Sequence, residues 1–325
     1  MSLTPSSRPA LGIGLALQCL LLLGVMPIIA NGRPMESGAL VFALWLSVWQ
    51  LLFSLPPFVR EWRTGERGLF SDSLQPLRKR RLIAVTLLTG ALFGLSTWLY
   101  VLAFEKAGAV NAAIALQAYP LFAAGLEAVF LGRRKSWGEL GFMLLVLAAL
   151  YYLATKGTWR LEGLSFWFLL ALAVPAIWSI AHIIIREALV NTPITPHQVT
   201  VSRLIVSVTL LFPLTLAIEG SSSVSSSAFN GTLQLFAIAM GLAYYLELII
   251  WFNAVRHIDV SVASSITVPA PAITIALAAF LLGETVTGPQ LLALTAVFLG
   301  LFGLIIAGLR NRGRQNGPAL AGSEA

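Results

Sequence analysis

Residues 82–104, LIAVTLLTGALFGLSTWLYVLAF, run for 23 positions without a charged side chain. A helix rises about 1.5 Å per residue, so this stretch can cross the roughly 30 Å hydrocarbon core of a bilayer. Its backbone polar groups would meet no water there, and a helix satisfies them within the segment. Residues 233–255, LQLFAIAMGLAYYLELIIWFNAV, form a second such stretch 151 positions later, interrupted by one charge, Glu247. In that register Leu82 falls on Leu233, Gly90 on Gly241 and Ala103 on Ala254. The match continues without a gap through Ala112 and Ala263, Pro120 and Pro271, Leu126 and Leu277, Ala128 and Ala279, and Leu140 and Leu291. Leucine and alanine coincidences are common in so apolar a chain. The proline coincidence is not, nor is that of Leu131-Gly132 with Leu282-Gly283 in the same register.

The composition agrees with a membrane solvent. Of 325 residues, 58% are hydrophobic and 11% charged, and the mean hydropathy is +0.85. A soluble domain carries about 25% charged residues. With 21 Lys and Arg and 14 Asp and Glu, this chain cannot clothe a soluble core. The balance excludes an ordinary soluble enzyme, a disordered chain and a nucleic-acid-binding module. Ten apolar segments are predicted as spanning helices: 11–30, 39–59, 82–104, 109–131, 137–155, 164–185, 198–218, 233–255, 260–283 and 291–309. The first is too long for a signal-peptide core and no small-x-small pattern closes it, so it is read as a helix that stays. The fold class expected is all-α integral membrane. The lone cysteine, Cys19, excludes an internal disulfide or a cysteine metal site and reads as a packing residue.

The net charge of +7 has a topological reading. With a cytoplasmic N-terminus, the inside segments hold 16 basic residues and the outside segments 4, Arg203 lying within helix 7. The richest connection carries Arg60, Arg63, Arg67, Arg78, Lys79, Arg80 and Arg81. Such asymmetry over short loops places both termini in the cytoplasm, in a multi-pass protein of the inner (plasma) membrane. Residues 1–9 are the cytoplasmic N-terminus, 10–155 and 163–309 two five-helix units, and 310–325 a disordered tail. Five is odd, so the second unit enters the membrane from the opposite side. Inverted repeats of this kind recur in transporters, where one pattern in two orientations gives two states open to opposite sides around a central cavity.

Residues 109–132, AVNAAIALQAYPLFAAGLEAVFLG, resemble the helix 4 signature of EamA-type transporters of the drug/metabolite transporter superfamily. The second copy is closer still, with AVRHIDVSVASS at 254–265, Pro269-Ala270-Pro271, and LGET at 282–285. The resemblance spans about residues 10–309. It implies ten helices in two repeats, a cavity bordered by helices 3, 4, 8 and 9, alternating access, and export of amino acids or other small metabolites, often against a proton gradient. Family members often carry an arginine early in helices 2 and 7; here helix 7 has Arg203, while Leu44 stands near the matching place in helix 2. Trp178 is retained in helix 6.

Ionisable groups at membrane depth face a cavity or a partner. Glu247 shares a helical face with Tyr244 and Trp251, an arrangement suited to an ammonium group or to proton exchange; an ion pair with Arg203 is the structural alternative. Arg203, with Thr200 and Ser207 on its face, can hold a carboxylate in a bidentate fork or snorkel to the interface. Glu127, close to Arg133 and Arg134, and His182, near the end of helix 6, are further proton-coupling candidates. Pro120, Pro269 and Pro271 are expected hinges, since proline removes a helical hydrogen bond. Around them, Asn111, Gln117 and Tyr119 of helix 4, Ser264, Ser265 and Thr267 of helix 9, and Trp98 and Tyr100 of helix 3 are candidate pocket-lining residues. There is no nucleophile elbow, phosphate loop or zinc motif, so neither enzyme chemistry nor a cofactor nor a metal is expected. The partners expected are the lipid bilayer, a small-molecule substrate and protons, without nucleic acid. The reading is a secondary exporter of a small polar metabolite such as an amino acid. The alternatives are a sugar-phosphate or nucleotide-sugar transporter and a non-transporting scaffold.

Overall fold

The computed structural model describes residues 8–31, 33–34, 38–64, 68, 75–107, 115–116, 118–132, 135–155, 157–160, 166–274, 276 and 288–315. Ten helices stand out among them: α1 Pro9–Asn31, α2 Ala39–Arg63, α3 Pro76–Ala107, α4 Tyr119–Leu131, α5 Trp137–Ala154, α6 Phe166–Asn191, α7 Pro196–Ala228, α8 Gly231–Val255, α9 Val260–Thr267 and α10 Gly288–Gln315. Seven of these, α1, α2, α3, α6, α7, α8 and α10, contain stretches long and apolar enough to cross a bilayer, while the helices around α4, α5 and α9 are shorter. Leu21, Leu88, Leu169, Leu235 and Phe302 are exposed on the outside of the bundle, as a lipid-facing surface requires.

Local chemistry explains the ends. Thr195 caps α7 by accepting from the Gln198 amide at 3.2 Å, and Asn230 caps α8 through the Leu233 amide at 3.0 Å. Ser136 and Glu139 form a reciprocal capping box at the start of α5: the Glu139 amide donates to Ser136 Oγ and the Ser136 amide to Glu139 Oε2. Gly132, at φ 64°, closes α4 in the left-handed conformation.

Four expectations need correction. The basic run Arg78–Arg81 is not loop but the first turns of α3. The serine-rich stretch 221–227, which falls in the connection between the predicted helices 198–218 and 233–255, is helical: its hydroxyls, such as Ser223 Oγ to the Glu219 carbonyl at 2.7 Å, bond back to the backbone, and only Gly220 breaks the helix. The last helix continues past Arg310 to Gln315. Pro120 lies in the first turn of α4 and so begins that helix rather than bending it; a proline is tolerated there because its missing N–H would be unpaired anyway. In the second half the helix pauses at Val268-Pro269 and resumes at Ala270. The Ala272 amide then bonds the Pro269 carbonyl at 2.8 Å.

The packing brings the two halves of the chain together. α1 lies on α8 and α3 on α6; α2 lies on α8 and α3 on α7; α1 meets α9 and α4 meets α6. α2 pairs with α7, α4 with α9 and α5 with α10. Two glycines allow close backbone approaches between the halves. A Cβ on Gly90 of α3 would stand 2.9 Å from the Arg203 carbonyl and 2.6 Å from Val206 Cβ of α7. A Cβ on Gly241 of α8 would stand 3.0 Å from the Leu46 carbonyl of α2 and 2.8 Å from Trp49 Cβ. Leu46 therefore takes the place at Gly241 that Arg203 takes at Gly90, two positions beyond the Leu44 read from the sequence. Ser207 Oγ on α7 adds a 2.8 Å bond to the Gly90 carbonyl.

Candidate substrate site

The helices that cross at the centre deliver an aromatic cluster. Tyr119, at the start of α4, contacts Trp178 of α6 edge-on at 6.2 Å and Trp251 of α8 at 6.0 Å. Trp178 stacks on Tyr100 of α3 at 5.7 Å, and its Nε1–H donates to Ser96 Oγ at 2.9 Å. His182, one helical turn after Trp178, lies against Phe93 at 4.9 Å and Trp251 at 5.2 Å. Its Nδ1 hydrogen-bonds the Tyr119 hydroxyl.

Two opposite charges enter this cluster. The Arg203 guanidinium sits over the Phe93 ring at 3.9 Å and near Phe252 at 5.9 Å, a cation–π arrangement. Arg203 is 4% exposed, so it does not snorkel to the interface. Glu247 is 8% exposed and lies within electrostatic reach of Arg203 and Tyr119. Among the described residues, no ion pair joins Glu247 to Arg203. Four buried polar atoms here have no protein partner: Arg203 Nε, Trp251 Nε1, His182 Nε2 and Thr200 Oγ1. Buried polar groups are normally satisfied; Thr200 stands one helical turn before Arg203 and Trp251 one turn after Glu247.

The 151-residue register gives this cluster a pattern. Phe93, Ser96 and Tyr100 of α3 fall on Tyr244, Glu247 and Trp251 of α8. Phe93, Ser96, Tyr100 and Trp251 all meet the cluster in the contacts above. Tyr244 joins through a hydrogen bond with Tyr100. The break before Pro120 at Ala118 and the pause at Pro269 are likewise 151 positions apart.

The remaining expected site residues are placed elsewhere. Trp98 packs with Leu40, Leu44 and Leu211 between α2 and α7. Ser264, Ser265 and Thr267 are buried on α9 and bond carbonyls of their own helix. Asn111 and Gln117 lie outside the described residues, as do Arg133 and Arg134.

Glu127 belongs to a different constellation, at the end of the bundle where α4 stops. It is fully buried, accepts from the Ser261 amide at 3.2 Å and from the Ser261 hydroxyl, and pairs with Lys135 Nζ at 2.9 Å. Lys135 also reaches Asp259 at 3.3 Å, and Asp259 meets Arg186 at 3.0 Å. Arg186 Nε donates to the Ile258 carbonyl at 2.9 Å and its NH1 pairs with Glu187 at 3.0 Å. The chain of charges thus joins α4 and the α4–α5 connection to α6 and the α8–α9 connection. Sequence reading missed Lys135, Arg186 and Asp259 because each looks like an ordinary loop or helix-end charge. It missed Phe93, and named Trp178 only as a residue the resemblance retains and not as part of a site, because aromatics in membrane helices also serve as interfacial anchors. Cys19 is buried at the α1–α8 contact, where its thiol donates to the Glu247 carbonyl at 3.4 Å.

Comparisons with known proteins add three findings. The model of the EamA-like transporter family matches residues 165–306. A probable terminal-alkyne amino-acid exporter of Streptantibioticus cattleyicolor is 25% identical over 217 residues, which is 66% of this chain and 69% of that protein. A crystal structure of a protein superposes with a TM-score of 0.73 at 17% identity, covering 94% of this chain and 99% of its own.

Proposed function

We propose that the chain is an EamA-type transporter and, on that footing, a secondary exporter of a small zwitterionic metabolite, an amino acid or a derivative, working by alternating access. The observation that carries this reading is the buried, unjoined pair Arg203 and Glu247 in one aromatic cluster. A substrate carboxylate would take the donors of Arg203, helped by Trp251 Nε1. An ammonium group would take Glu247, with Tyr119 and Trp251 offering their rings. Each charge then gains its missing partner only when substrate is bound. The amino-acid exporter among the relatives supports the same substrate class. A sugar-phosphate fits less well, because two or more phosphate charges call for several cations and the described cluster holds one arginine.

Alternating access rests on ten spans in two inverted repeats, residues 10–155 and 163–309. The reciprocal contacts support that arrangement: each pairing in α1–α8 with α3–α6, α2–α8 with α3–α7, and α1–α9 with α4–α6 maps onto its mate when helices are advanced by five and the numbering closes on itself. The interruptions before α4 and within the α9 region give the discontinuous helices that transporters use at a binding site. The Glu127–Lys135–Asp259–Arg186 chain would act as a latch between the repeats at the end where Arg8 also meets His257. The basic-residue asymmetry puts that end, and both termini, in the cytoplasm of a plasma-membrane protein. Glu247 is the residue we assign to proton coupling.

The test is ligand-dependent thermal stability of the purified protein in mild detergent, over amino acids, amines, organic acids and nucleotide-sugars. A ligand at one hundred times its dissociation constant adds about 2.7 kcal/mol. The expected result is a rise with one or more amino acids and none with the matching amine or the matching acid alone. A rise with nucleotide-sugars only, or with nothing in the panel, would overturn the substrate assignment.

A further inference from the structure

An open groove of about 480 Å³ runs between the end of α2 and the start of α7, lined by Phe58, Val59, Trp62 and Arg63 on one side and Gln198, Val201, Ser202 and Ile205 on the other. The two helices run antiparallel there, tied by Thr195 Oγ donating to Glu61 Oε2 at 2.7 Å. Arg63 and Gln198 therefore lie toward the helix ends. Phe58 and Ile205 lie about 7–10 Å further in, at 1.5 Å per residue. The groove is apolar along its length, and the basic residues Arg60 and Arg63 stand at the helix end beside it. Val59, Trp62 and Ile205 are exposed to the surroundings, so it opens sideways rather than into the bundle.

We infer that this groove binds one anionic phospholipid, its phosphate at Arg63 and an acyl chain along Phe58, Val59, Val201 and Ile205. Three features select an anionic headgroup over a zwitterionic one. Arg60 and Arg63 both sit in the last turn of α2. The segment 60–81 carries seven basic residues against the acids Glu61, Glu66 and Asp72. The positive end of the α7 dipole faces the same mouth. Basic pockets between spanning helices hold anionic headgroups in this way. Trp62 supplies the amphipathic ring that membrane proteins place at headgroup depth. Such a lipid would brace α2 against α7, one of the pairs through which the two halves of the chain meet. The site is separate from the aromatic cluster and does not depend on which substrate is carried.

The test uses the full chain in detergent, titrated with phosphatidylglycerol or phosphatidylcholine of matched acyl chains, with thermal unfolding and native mass spectrometry as readouts. Phosphatidylglycerol should raise the Tm and be retained as a single adduct, and phosphatidylcholine should do so at least about ten-fold less effectively. Arg63→Gln should weaken phosphatidylglycerol roughly five-fold, with Arg60→Gln adding a comparable factor, while Arg63→Lys should keep the preference. Ser202→Trp should fill the groove and remove the adduct. The charge variants lie on an exposed helix end, so their folding is checked by an unchanged Tm without lipid. Equal effects of the two lipids on the wild type, a preference that survives both glutamine substitutions, or the same Tm rise from inorganic phosphate would each overturn the assignment.

Discussion

Two groups of buried charges in this bundle stand in contrast. At one end, Glu127, Lys135, Asp259 and Arg186 form a continuous chain of ion pairs at 2.9–3.3 Å, with the remaining capacity of Glu127 taken up by Ser261. At the centre, Arg203 and Glu247 are as deeply buried yet share no ion pair, and the donors around them lack partners. Burying a charge costs several kcal/mol unless it is paired and hydrogen-bonded. The first group meets that condition within the protein and so serves to hold helices together. The second does not, and the proposed function takes that open capacity to be filled by a bound substrate. The position of a charge in the membrane therefore says less about its role than whether its partners are already in place.

The contrast predicts opposite behaviour on substitution. Glu127→Ala leaves the Lys135 ammonium and the Ser261 amide without their acceptor, and should cost about 3–5 kcal/mol of stability, read as a lowered Tm in detergent. Glu247→Gln removes a charge that makes no ion pair among the described residues and keeps the side chain's shape, so stability should change by less than it does in Glu127→Ala, by about 1 kcal/mol, while transport falls at least ten-fold. If the two substitutions lower Tm equally, the distinction between structural and substrate charges fails.

Next in size is helix contact. Gly241→Val places a side chain against the Leu46 carbonyl and Trp49, and Gly90→Val does the same against Arg203 and Val206. Each should cost about 1–3 kcal/mol by overpacking. Similar losses from the two would support the equivalence of the α2–α8 and α3–α7 contacts, and a large loss from one alone would count against it. A smaller effect is expected from Tyr119→Phe, which removes the hydrogen bond to His182 at about 1 kcal/mol and keeps the ring against Trp178 and Trp251. Its transport should fall less than that of Glu247→Gln if the ring, rather than the hydroxyl, is what substrate meets.

Much of the architecture is visible in the chain because a bilayer imposes a single rule, a long apolar run for each spanning helix. Segments such as 82–104 and 233–255 follow that rule and fall within α3 and α8. The boundaries were harder where polar residues are compatible with helix. Arg78–Arg81 extend α3 because long charged side chains at a helix end can reach water, and Ser221–Ser227 extend α7 because their hydroxyls satisfy themselves on the backbone. Arg203, Glu247, Tyr119 and Trp251 were each identifiable as costly or amphipathic groups at depth. Their assembly was not, because the Tyr119–His182 bond spans 63 positions and the Glu127–Ser261 bond 134. Periodicity places a side chain on a helical face, and only packing decides which face it meets.

The central claim is tested most directly by counterflow of a radiolabelled amino acid into proteoliposomes, with wild type, Glu247→Gln and Arg203→Gln reconstituted at equal density. The account predicts uptake by the wild type that excess unlabelled amino acid inhibits but the corresponding amine and acid do not, and a loss of at least ten-fold in both variants despite normal reconstitution. Undiminished uptake by either variant, or equal inhibition by the amine or the acid, would contradict it.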